Sequence, residues 1–443
     1  MAAASGSAPS RDEPGHGPAS PDMNLDTASQ DAPGSQDPVT AARARMVQAL
    51  RVSGRIPGPA VQAAFLAVPR HLFVPGLEPA AAYQDEALVI KYGADGLPVS
   101  SSSQPAMMAI MLEQLGLRPG HRVLEIGTGT GYNAAVMAHI VGPRGRVVSI
   151  DIDDELVGRA QASLAAAGYD TVAARTGDGG YGVPAEAPFD RIIVTAGAWD
   201  IAPAWLDQLD QGGRLVLPLA VRSIQLSVGL ERHSGGDCWT AMSAFRCGFV
   251  RMAGAFAGPE VFRPVGHGTG LFVQADDGHL VDSGALAAAL AGPGVDVPAG
   301  VRALAREDPG DVDLWLTLTE PGLDRLTLME TGAGSSSSGP LLPYGGLASR
   351  GSARGQLGVS GLTGTWLGTE PAAEIVLRGY GRGGRALAAH LAARVLAWDS
   401  LGRPGTADLC LTACPPGSRL PVAAGQIVLS RPHIRLAAGW PVR

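Results

Sequence analysis

One stretch decides the fold of this 443-residue chain: VLEIGTGTGYNAA, at Val123–Ala135. Apolar residues at its start predict a buried strand. Gly127, Gly129 and Gly131 then predict a tight turn in which a ligand can approach the backbone closely. The residues after the last glycine predict a helix whose N-terminal amides point toward that ligand. A strand, a glycine turn and a helix in this order indicate a binding loop at the edge of an α/β sheet.

The acid before the turn indicates which ligand the loop binds. Glu125 stands two residues before the first glycine, and Tyr132 occupies the third glycine position of the dinucleotide fingerprint G-x-G-x-x-G. A pyrophosphate would be repelled by Glu125, whereas the ammonium and sulfonium groups of S-adenosylmethionine would be attracted to it. The loop therefore predicts an S-adenosylmethionine site and argues against a nicotinamide oxidoreductase.

Two further acids follow the next predicted strands. Asp151 comes directly after the strand Arg146–Ile150, 20 residues beyond Gly131 (151 minus 131), where a carboxylate can accept bonds from both ribose hydroxyls. Asp178, in the turn after the short strand Val172–Arg175, is placed to contact the adenine amine. Either acid alone could be a helix cap or a turn former. Acids and glycines at successive strand ends of one sheet nevertheless favour cofactor binding.

Strands and helices alternate on both sides of this loop. Such alternation predicts a mostly parallel sheet covered on both faces, the doubly wound α/β fold of class I methyltransferases. The predicted strands are Arg122–Ile126, Arg146–Ile150, Val172–Arg175, Arg191–Thr195 and Arg214–Leu217. The predicted helices are Ala41–Arg51, one after Pro59, one from Pro105, Ala134–Ile140 and Glu155–Ala167.

The chain is predicted to have three segments. Residues 1–38 contain almost no large apolar side chains and are predicted to be disordered. Residues 39–258 form the predicted methyltransferase domain. Residues 259–443 are predicted to form a C-terminal α/β accessory domain for substrate recognition, and they contain no catalytic motif. Its expected elements are strands at Glu374–Leu377, Asp408–Thr412 and Gln426–Leu429 and an amphipathic helix at Gly384–Leu396.

Composition limits the possible binding partners and the cellular compartment of the protein. A net charge of −7 argues against nucleic-acid binding, which needs clustered cations. No apolar run reaches membrane-spanning length and no signal peptide is evident, so a cytoplasmic protein without membrane contact is predicted. Cys238, Cys247, Cys410 and Cys414 show no C-x-x-C spacing. We therefore expect reduced thiols and no metal site.

Motifs around the cofactor loop resemble the protein-L-isoaspartate O-methyltransferase family, in order, from about Thr40 to Gly254. These motifs are VPRHLFVP (Val68–Pro75), Tyr83, Asp85, SSSQPAM (Ser101–Met107), the loop itself, GDGG, FDRIIVTAGA and LDQLDQGGRLVLPL. The resemblance implies methylation of the free α-carboxylate of an isoaspartyl residue, or of a related aspartate side chain, in a peptide or protein. S-adenosylhomocysteine is the implied coproduct, and the methyl ester would close to a succinimide that hydrolyses to Asp or isoAsp.

The resemblance also implies roles for individual residues. Ser103, in the Ser-x-Pro element, aligns with the family serine that hydrogen-bonds the substrate carboxylate, and is the predicted catalytic residue. The alternative is an N-cap for the helix at Pro105. Arg70 and His71 are interpreted as structural. The remaining predicted cofactor-binding residues are Ser102, Thr128, Thr130, Asn133, Ile152, Gly177, Gly179, Thr195 and Gln225.

The length of the chain favours one of two possible substrate classes. A repair enzyme of the resembled family ends soon after its sheet is complete, whereas this chain continues to Arg443. The extension favours an enzyme dedicated to one ribosomally made precursor peptide, such as a lanthipeptide, over general isoaspartyl repair. A small-molecule methyltransferase and a non-catalytic scaffold are further alternatives. The sequence does not predict an oligomeric state.

Overall fold

The computed structural model describes residues 37–233, 236–278, 281–302, 309–328, 346–349, 359–363 and 374–441. Of the segment predicted to be disordered, residues 1–36 lie outside these ranges. The helices of the described residues are α1 (Pro38–Val52), α2 (Pro59–Ala67), α3 (Pro105–Leu115), α4 (Tyr132–Val141), α5 (Asp154–Ala166), α6 (Pro203–Asp207), α7 (Ser283–Leu290), α8 (Pro309–Thr319) and α9 (Gly384–Ser400).

The strands of the described residues fall into three sheets. Those before residue 258 are β1 (Leu88–Tyr92), β2 (Pro98–Ser102), β3 (Arg122–Ile126), β4 (Arg146–Asp151), β5 (Ala173–Thr176), β6 (Phe189–Val194), β7 (Leu209–Val221), β8 (Ile224–Arg232) and β9 (Trp239–Cys247). Those after it are β10 (Val261–Pro264), β11 (Leu271–Ala275), β12 (Val295–Arg302), β13 (Leu323–Leu328), β14 (Gly346–Ser349), β15 (Val359–Thr363), β16 (Glu374–Tyr380), β17 (Cys410–Cys414), β18 (Gln426–Ser430) and β19 (Arg435–Gly439).

A ten-stranded mixed sheet carries the predicted cofactor loop. Its strand order is β18-β19-β17-β9-β8-β7-β6-β3-β4-β5. The strands from β3 to β7 pair in parallel, and the strands beyond β7 pair antiparallel. The parallel half confirms the predicted doubly wound fold class. Strand β3 also has its predicted bounds, Arg122–Ile126.

Both faces of the parallel half are buried, as its apolar strands predict. Successive side chains of a strand point to opposite faces. Val123 and Val216 accordingly pack into one hydrophobic cluster with helices α1 to α5. Leu124 and Leu215 pack into another, which also contains Leu391 of α9. The second cluster joins the methyltransferase sheet to residues of the C-terminal region in one continuous core.

The residues after 258 contribute to two sheets. Strand β17 pairs with β9 at Thr412↔Thr240 and Ala413↔Trp239, so the C-terminal strands extend the methyltransferase sheet. Strands β10 to β16 form a separate seven-stranded antiparallel sheet, in the order β10-β11-β13-β14-β15-β16-β12. The predicted boundary between residues 258 and 259 stays a prediction, and residues on its two sides share one hydrogen-bonded sheet.

A disulfide fastens the C-terminal strands to the methyltransferase sheet. It joins Cys238, next to β9, to Cys414, the last residue of β17. The prediction of reduced thiols is wrong for this pair. The two cysteines are 176 residues apart in sequence and meet only because β17 pairs with β9. Cys247 and Cys410 are free thiols.

Within the described part of the chain, no helix is long and apolar enough to cross a membrane. The cytoplasmic location stays a prediction.

The shared core leads to a stability prediction for α9. Leu391 is 1% exposed and Leu396 of the same helix is 49% exposed. Because Leu391→Ala leaves a cavity in the core, we expect it to lower the free energy of unfolding by about 2–5 kcal/mol. The matched change Leu396→Ala should stay within about 0.5 kcal/mol. Denaturant unfolding of the full chain measures both, and equal effects would contradict the shared core.

Candidate active site

The carboxyl ends of the parallel strands open into a pocket that collects most of the predicted site residues. Those in its lining are Ser102, Ser103, Glu125, Gly127, Thr128, Gly129, Thr130, Asn133, Asp151, Ile152, Gly179 and Thr195. Four predicted residues, Gly131, Gly177, Asp178 and Gln225, lie outside the lining. The pocket thus brings together four features: the acid at the end of β3, the glycine turn, the acid at the end of β4 and the serine segment after β2.

The turn after β3 requires glycine. Gly127 has φ of 103°, and a Cβ there would lie 2.4 Å from Oγ1 of Thr195. Thr195 donates its hydroxyl to the Gly127 carbonyl at 2.7 Å, which fixes the turn against β6. Gly131 has φ of 82° and precedes α4, where a Cβ would lie 3.2 Å from Cβ of Ala160. Its contribution is close helix packing behind the turn.

Glu125 is a buried carboxylate with neutral hydrogen-bond partners. It is 0% exposed and accepts bonds from Oγ of Ser149 at 2.6 Å and Nδ2 of Asn133 at 2.7 Å. Burial raises the pKa of Glu125 to about 7, although those two hydrogen bonds lower it. Among the described residues no cation pairs with Glu125, and the buried Oδ1 of Asn133 has no hydrogen-bond donor. Glu125 and Asn133 both line the pocket, so the site offers an ammonium group a carboxylate and an unpaired amide oxygen as acceptors.

Asp151 ties the glycine turn to the end of β4. Its Oδ2 accepts from the amide of Gly129 at 2.9 Å, and its Oδ1 accepts from the amide of Asp153 at 3.1 Å. Each carboxylate oxygen keeps a further lone pair for a ligand. The predicted ribose contact stays a prediction, and the position of Asp151 in the pocket lining is compatible with it.

Asp178 and Gly177 form hydrogen bonds that hold neighbouring backbone segments in place. Oδ1 of Asp178 accepts from the amide of Gly180 at 2.9 Å, and Oδ2 accepts from the amide of Ala255 at 2.7 Å. Asp178 thus fastens the loop after β9, whose residues Met252 and Ala253 line the pocket. Gly177 donates its amide to the Asp151 carbonyl at 2.8 Å. The predicted adenine contact of Asp178 stays a prediction.

The buried guanidinium of Arg70 holds the serine segment in place. It donates to the Ser103 carbonyl at 3.0 Å, to Oγ of Ser102 at 3.3 Å and to the Ala82 carbonyl at 2.9 Å. These contacts give Arg70 a structural role. His71 lies 2.8 Å from the Tyr83 hydroxyl through Nδ1.

The N-cap alternative for Ser103 is wrong. The residue at the N-cap of α3 is Gln104, and no side chain of its own segment caps the helix. Instead Oδ1 of Asp85 accepts from the amide of Ala106 at 2.8 Å. No hydrogen bond of the Ser103 hydroxyl is found among the described residues, and the residue lies in the pocket lining. The hydroxyl is therefore available to a ligand.

Gln225 supports a backbone segment that lines the pocket. Its Oε1 accepts from the amide of Phe249 at 2.7 Å and its Nε2 donates to the Phe249 carbonyl at 3.2 Å. Phe249 itself lines the pocket. Gln225 thus positions this segment, and its predicted cofactor contact stays a prediction.

Sequence reasoning missed the antiparallel hairpin of β1 and β2. Its Lys91, the only lysine of the sequence, pairs with Asp153 at 2.6 Å and with Glu155 at 3.0 Å. These ion pairs fix the hairpin to the start of α5, beside Asp151. A single lysine in the sequence indicates a residue with a specific role. Its ion-pair partners lie more than sixty positions away, so the sequence does not identify them.

Comparison with known proteins agrees with this geometry. A family model described as Protein-L-isoaspartate(D-aspartate) O-methyltransferase (PCMT) matches residues 41–255. The protein-L-isoaspartate O-methyltransferase of Methanopyrus kandleri is 42% identical over 222 residues, which cover 49% of this chain and 95% of that protein. Protein-L-isoaspartate O-methyltransferase 1 of Archaeoglobus fulgidus is 46% identical over 198 residues, covering 45% of this chain and 85% of that protein. The chain belongs to the protein-L-isoaspartate O-methyltransferase family.

Solved structures are also similar to this member of the family. One, a protein-L-isoaspartate O-methyltransferase, has a TM-score of 0.47 and 22% identity, and the match covers 84% of this chain and 96% of that chain. Another is a putative protein-L-isoaspartate O-methyltransferase from Plasmodium falciparum in complex with S-adenosyl-L-homocysteine, with a TM-score of 0.40 and 21% identity. That match covers 47% of this chain and 97% of the other.

This member of the isoaspartate methyltransferase family is an enzyme that uses S-adenosylmethionine as its cofactor. The pocket fits that molecule. The carboxylate of Glu125 and Oδ1 of Asn133 match an ammonium group. The positive φ angles of Gly127 and Gly129 keep side chains out of the turn. Asp151 supplies acceptors for hydroxyl groups at the next strand end.

We expect the affinity for the cofactor product S-adenosylhomocysteine to fall as the pH drops below about 7. The pKa of Glu125 is raised to about 7, and only the ionised carboxylate attracts an ammonium group. Binding should weaken about ten-fold between pH 8 and pH 6, since a tenth of the carboxyl groups remain ionised one unit below the pKa. Calorimetric titration at several pH values measures this change.

The same titration on Glu125→Gln should show weaker binding at pH 8 and little dependence on pH. Glu78→Gln, which changes an exposed acid outside the pocket, is the matched control and should behave like the unchanged protein. An equal pH dependence in Glu125→Gln would assign the titration to another group.

Proposed function

We propose that this enzyme transfers the methyl group of S-adenosylmethionine to the free α-carboxylate of an isoaspartyl residue, or to a related aspartate side chain, in a peptide. Membership of the family supports the reaction and the class of acceptor. The observation that carries the proposal is the position of Ser103. It lines the same pocket as Glu125 and Asp151.

The reaction needs little acid–base chemistry from the protein. A carboxylate is already ionised at neutral pH, so no general base is required. When bound, S-adenosylmethionine supplies a methyl group activated by a positively charged sulfur. The chain contributes orientation and a dry environment. In our proposal the Ser103 hydroxyl donates to one oxygen of the acceptor carboxylate, which directs the other oxygen toward the methyl group.

The pocket lining is suited to excluding water. Beside the polar residues it contains the apolar side chains of Met108, Met111, Ile193, Phe249 and Met252. A low-dielectric surrounding strengthens the hydrogen bond that orients the acceptor. In the methyl ester product, the nitrogen of the following backbone amide would then attack the ester carbonyl. Methoxide leaves and takes up the amide proton as methanol, and the resulting succinimide hydrolyses to Asp or isoAsp. This second stage needs no residue of the enzyme.

We infer that the substrate is one particular peptide, such as a ribosomally made precursor peptide of the lanthipeptide type. In support, the second sheet contributes Phe262, Gln274 and Arg325 to a groove that adjoins the reaction pocket. An enzyme that must accept many damaged proteins gains little from an added recognition surface. General isoaspartyl repair remains the second candidate, favoured by 42% identity to a relative over 95% of its length.

Replacing Ser103 tests the proposed chemistry. Ser103→Ala should lower methyl transfer to a synthetic isoaspartyl peptide about ten-fold or more, because the acceptor loses its orienting hydrogen bond. Affinity for S-adenosylhomocysteine should stay nearly constant. Ser101→Ala removes a neighbouring hydroxyl from the same pocket lining and is the matched control. Equal loss in both variants, or none in either, would remove Ser103 from the mechanism.

A panel of unrelated isoaspartyl peptides separates the two substrate classes. A dedicated enzyme should show kcat/KM values that differ by about a hundred-fold or more across the panel, as several lost contacts of about 1.4 kcal/mol each would give. Radiolabelled methyl transfer measures the values. Uniform kcat/KM across the panel would establish general repair instead.

A further inference from the structure

A second groove adjoins the reaction pocket. It encloses about 500 Å³ between the β1–β2 hairpin, the end of β9 and strands β10, β11 and β13. Residues that line both cavities are Val99, Phe249, Val250, Arg251 and Ala253. A peptide that reaches the reaction pocket can therefore continue into the groove without leaving the protein surface.

One side of the groove is a face of the second sheet that carries one aromatic and two polar side chains. Phe262 pairs with Gln274 across β10 and β11, and Gln274 pairs with Arg325 across β11 and β13. These three residues thus form one row and all line the groove. The alternate residues Val273 and Leu326 point to the opposite face, where they pack into a separate hydrophobic cluster. The row lies beyond residue 255, where the family match ends.

Arginines dominate the charge of the groove. The groove is lined by Arg246, Arg251 and Arg325. Among the described residues, the lining contains one acidic side chain, that of Asp95. The buried Asp313 lies behind the lining and pairs with Arg246 at 3.0 Å and with Arg325 at 2.5 Å. One carboxylate can balance only one of two guanidinium groups. An anion that enters beside Arg246 and Arg325 therefore meets a local excess of positive charge, whereas Arg251 also attracts the Glu260 carboxyl.

The arginines are also held in place before any ligand arrives. The side chains of Arg246 and Arg325 are 25% and 15% exposed. Arg251 donates to the Glu260 carbonyl at 2.5 Å and lies 5.1 Å from the ring centre of Phe262. The Glu260 carboxyl lies outside the lining, and burial raises its pKa. Fixed, partly desolvated guanidinium groups bind carboxylates with little loss of side-chain entropy.

We propose that this groove is a subsite for an acidic side chain of the peptide substrate, close in sequence to the residue that is methylated. The inference rests on the proposed function, because it assigns a binding site to another part of the same peptide substrate. Arg325 and Arg246 bind the carboxylate of that side chain, while Phe249 and Phe262 contact the apolar part of the peptide. The groove thus adds a charge requirement to the recognition of the acceptor residue.

Two fluorescent isoaspartyl peptides test the subsite on the full-length protein. One carries two glutamates on each side of the isoaspartyl residue, and the other carries glutamines at the same positions. Anisotropy titration in the presence of S-adenosylhomocysteine should show about ten-fold tighter binding of the glutamate peptide, the order of one charge-assisted contact. The difference should shrink at high salt, which screens the charges.

Variants at Arg325 assign the preference to this groove. Arg325→Gln should reduce the preference to about two-fold or less, since the neutral side chain loses the charge-assisted contact. Arg325→Lys keeps the charge and should retain a clear preference. Arg263→Gln is the matched control, because Arg263 is exposed on the opposite face of β10 and should keep the full difference. If Arg325→Lys keeps the preference, the loss in Arg325→Gln comes from the missing charge and not from a disturbed sheet.

The outcomes separate the subsite from the proposed reaction. Equal affinity of the unchanged protein for the two peptides would overturn the subsite, and so would a glutamate preference that survives in Arg325→Gln. A preference that depends on Arg325 supports the subsite even where neither peptide is methylated. In that case the proposed reaction fails and the subsite stands.

Discussion

The site depends on one buried carboxylate. Glu125 is fully enclosed, with Ser149 and Asn133 as neutral partners and Asp151 close enough to raise its pKa further. The pKa of Glu125 rises from 4.5 to about 7. The ionised carboxylate therefore costs the fold about 3 kcal/mol above pH 7, at about 1.4 kcal/mol per pKa unit. This cost develops as the pH rises from 4.5 to 7, and a bound ammonium group offsets it. Cofactor binding and folding are linked through this residue.

Much of this centre could be predicted from the sequence because its determinants are local. Strand β3 and the turn after it occupy a single short stretch, and the need for glycine at 127 follows from a positive φ angle. The acids at 125 and 151 stand at the carboxyl ends of neighbouring parallel strands, so the fold itself brings them together. Once the parallel order is inferred, the pocket follows from chain direction alone.

The parts that the sequence could not predict depend on pairs that are distant along the chain. The disulfide links residues 176 positions apart, and its formation requires the β9–β17 ladder. The sequence predicts a structural role for Arg70, but its hydrogen-bond partners in the serine segment lie more than thirty positions away. Residues such as Asp178 and Gln225 hold backbone amides, and motif spacing does not distinguish this role from ligand contact.

The C-terminal region is coupled to the reaction pocket by the same kind of long-range contact. Arg246 belongs to the methyltransferase sheet and Arg325 to the second sheet, and Asp313 of α8 bridges them. A recognition surface on a loose domain would have to be ordered each time a peptide binds, at a cost in affinity. Here the bridge, the β9–β17 ladder and the shared hydrophobic core fix that surface before binding. The distance from the arginines of the groove to Ser103 is therefore a property of the fold. In the proposed function, that distance would select which carboxylate of a bound peptide reaches the methyl group.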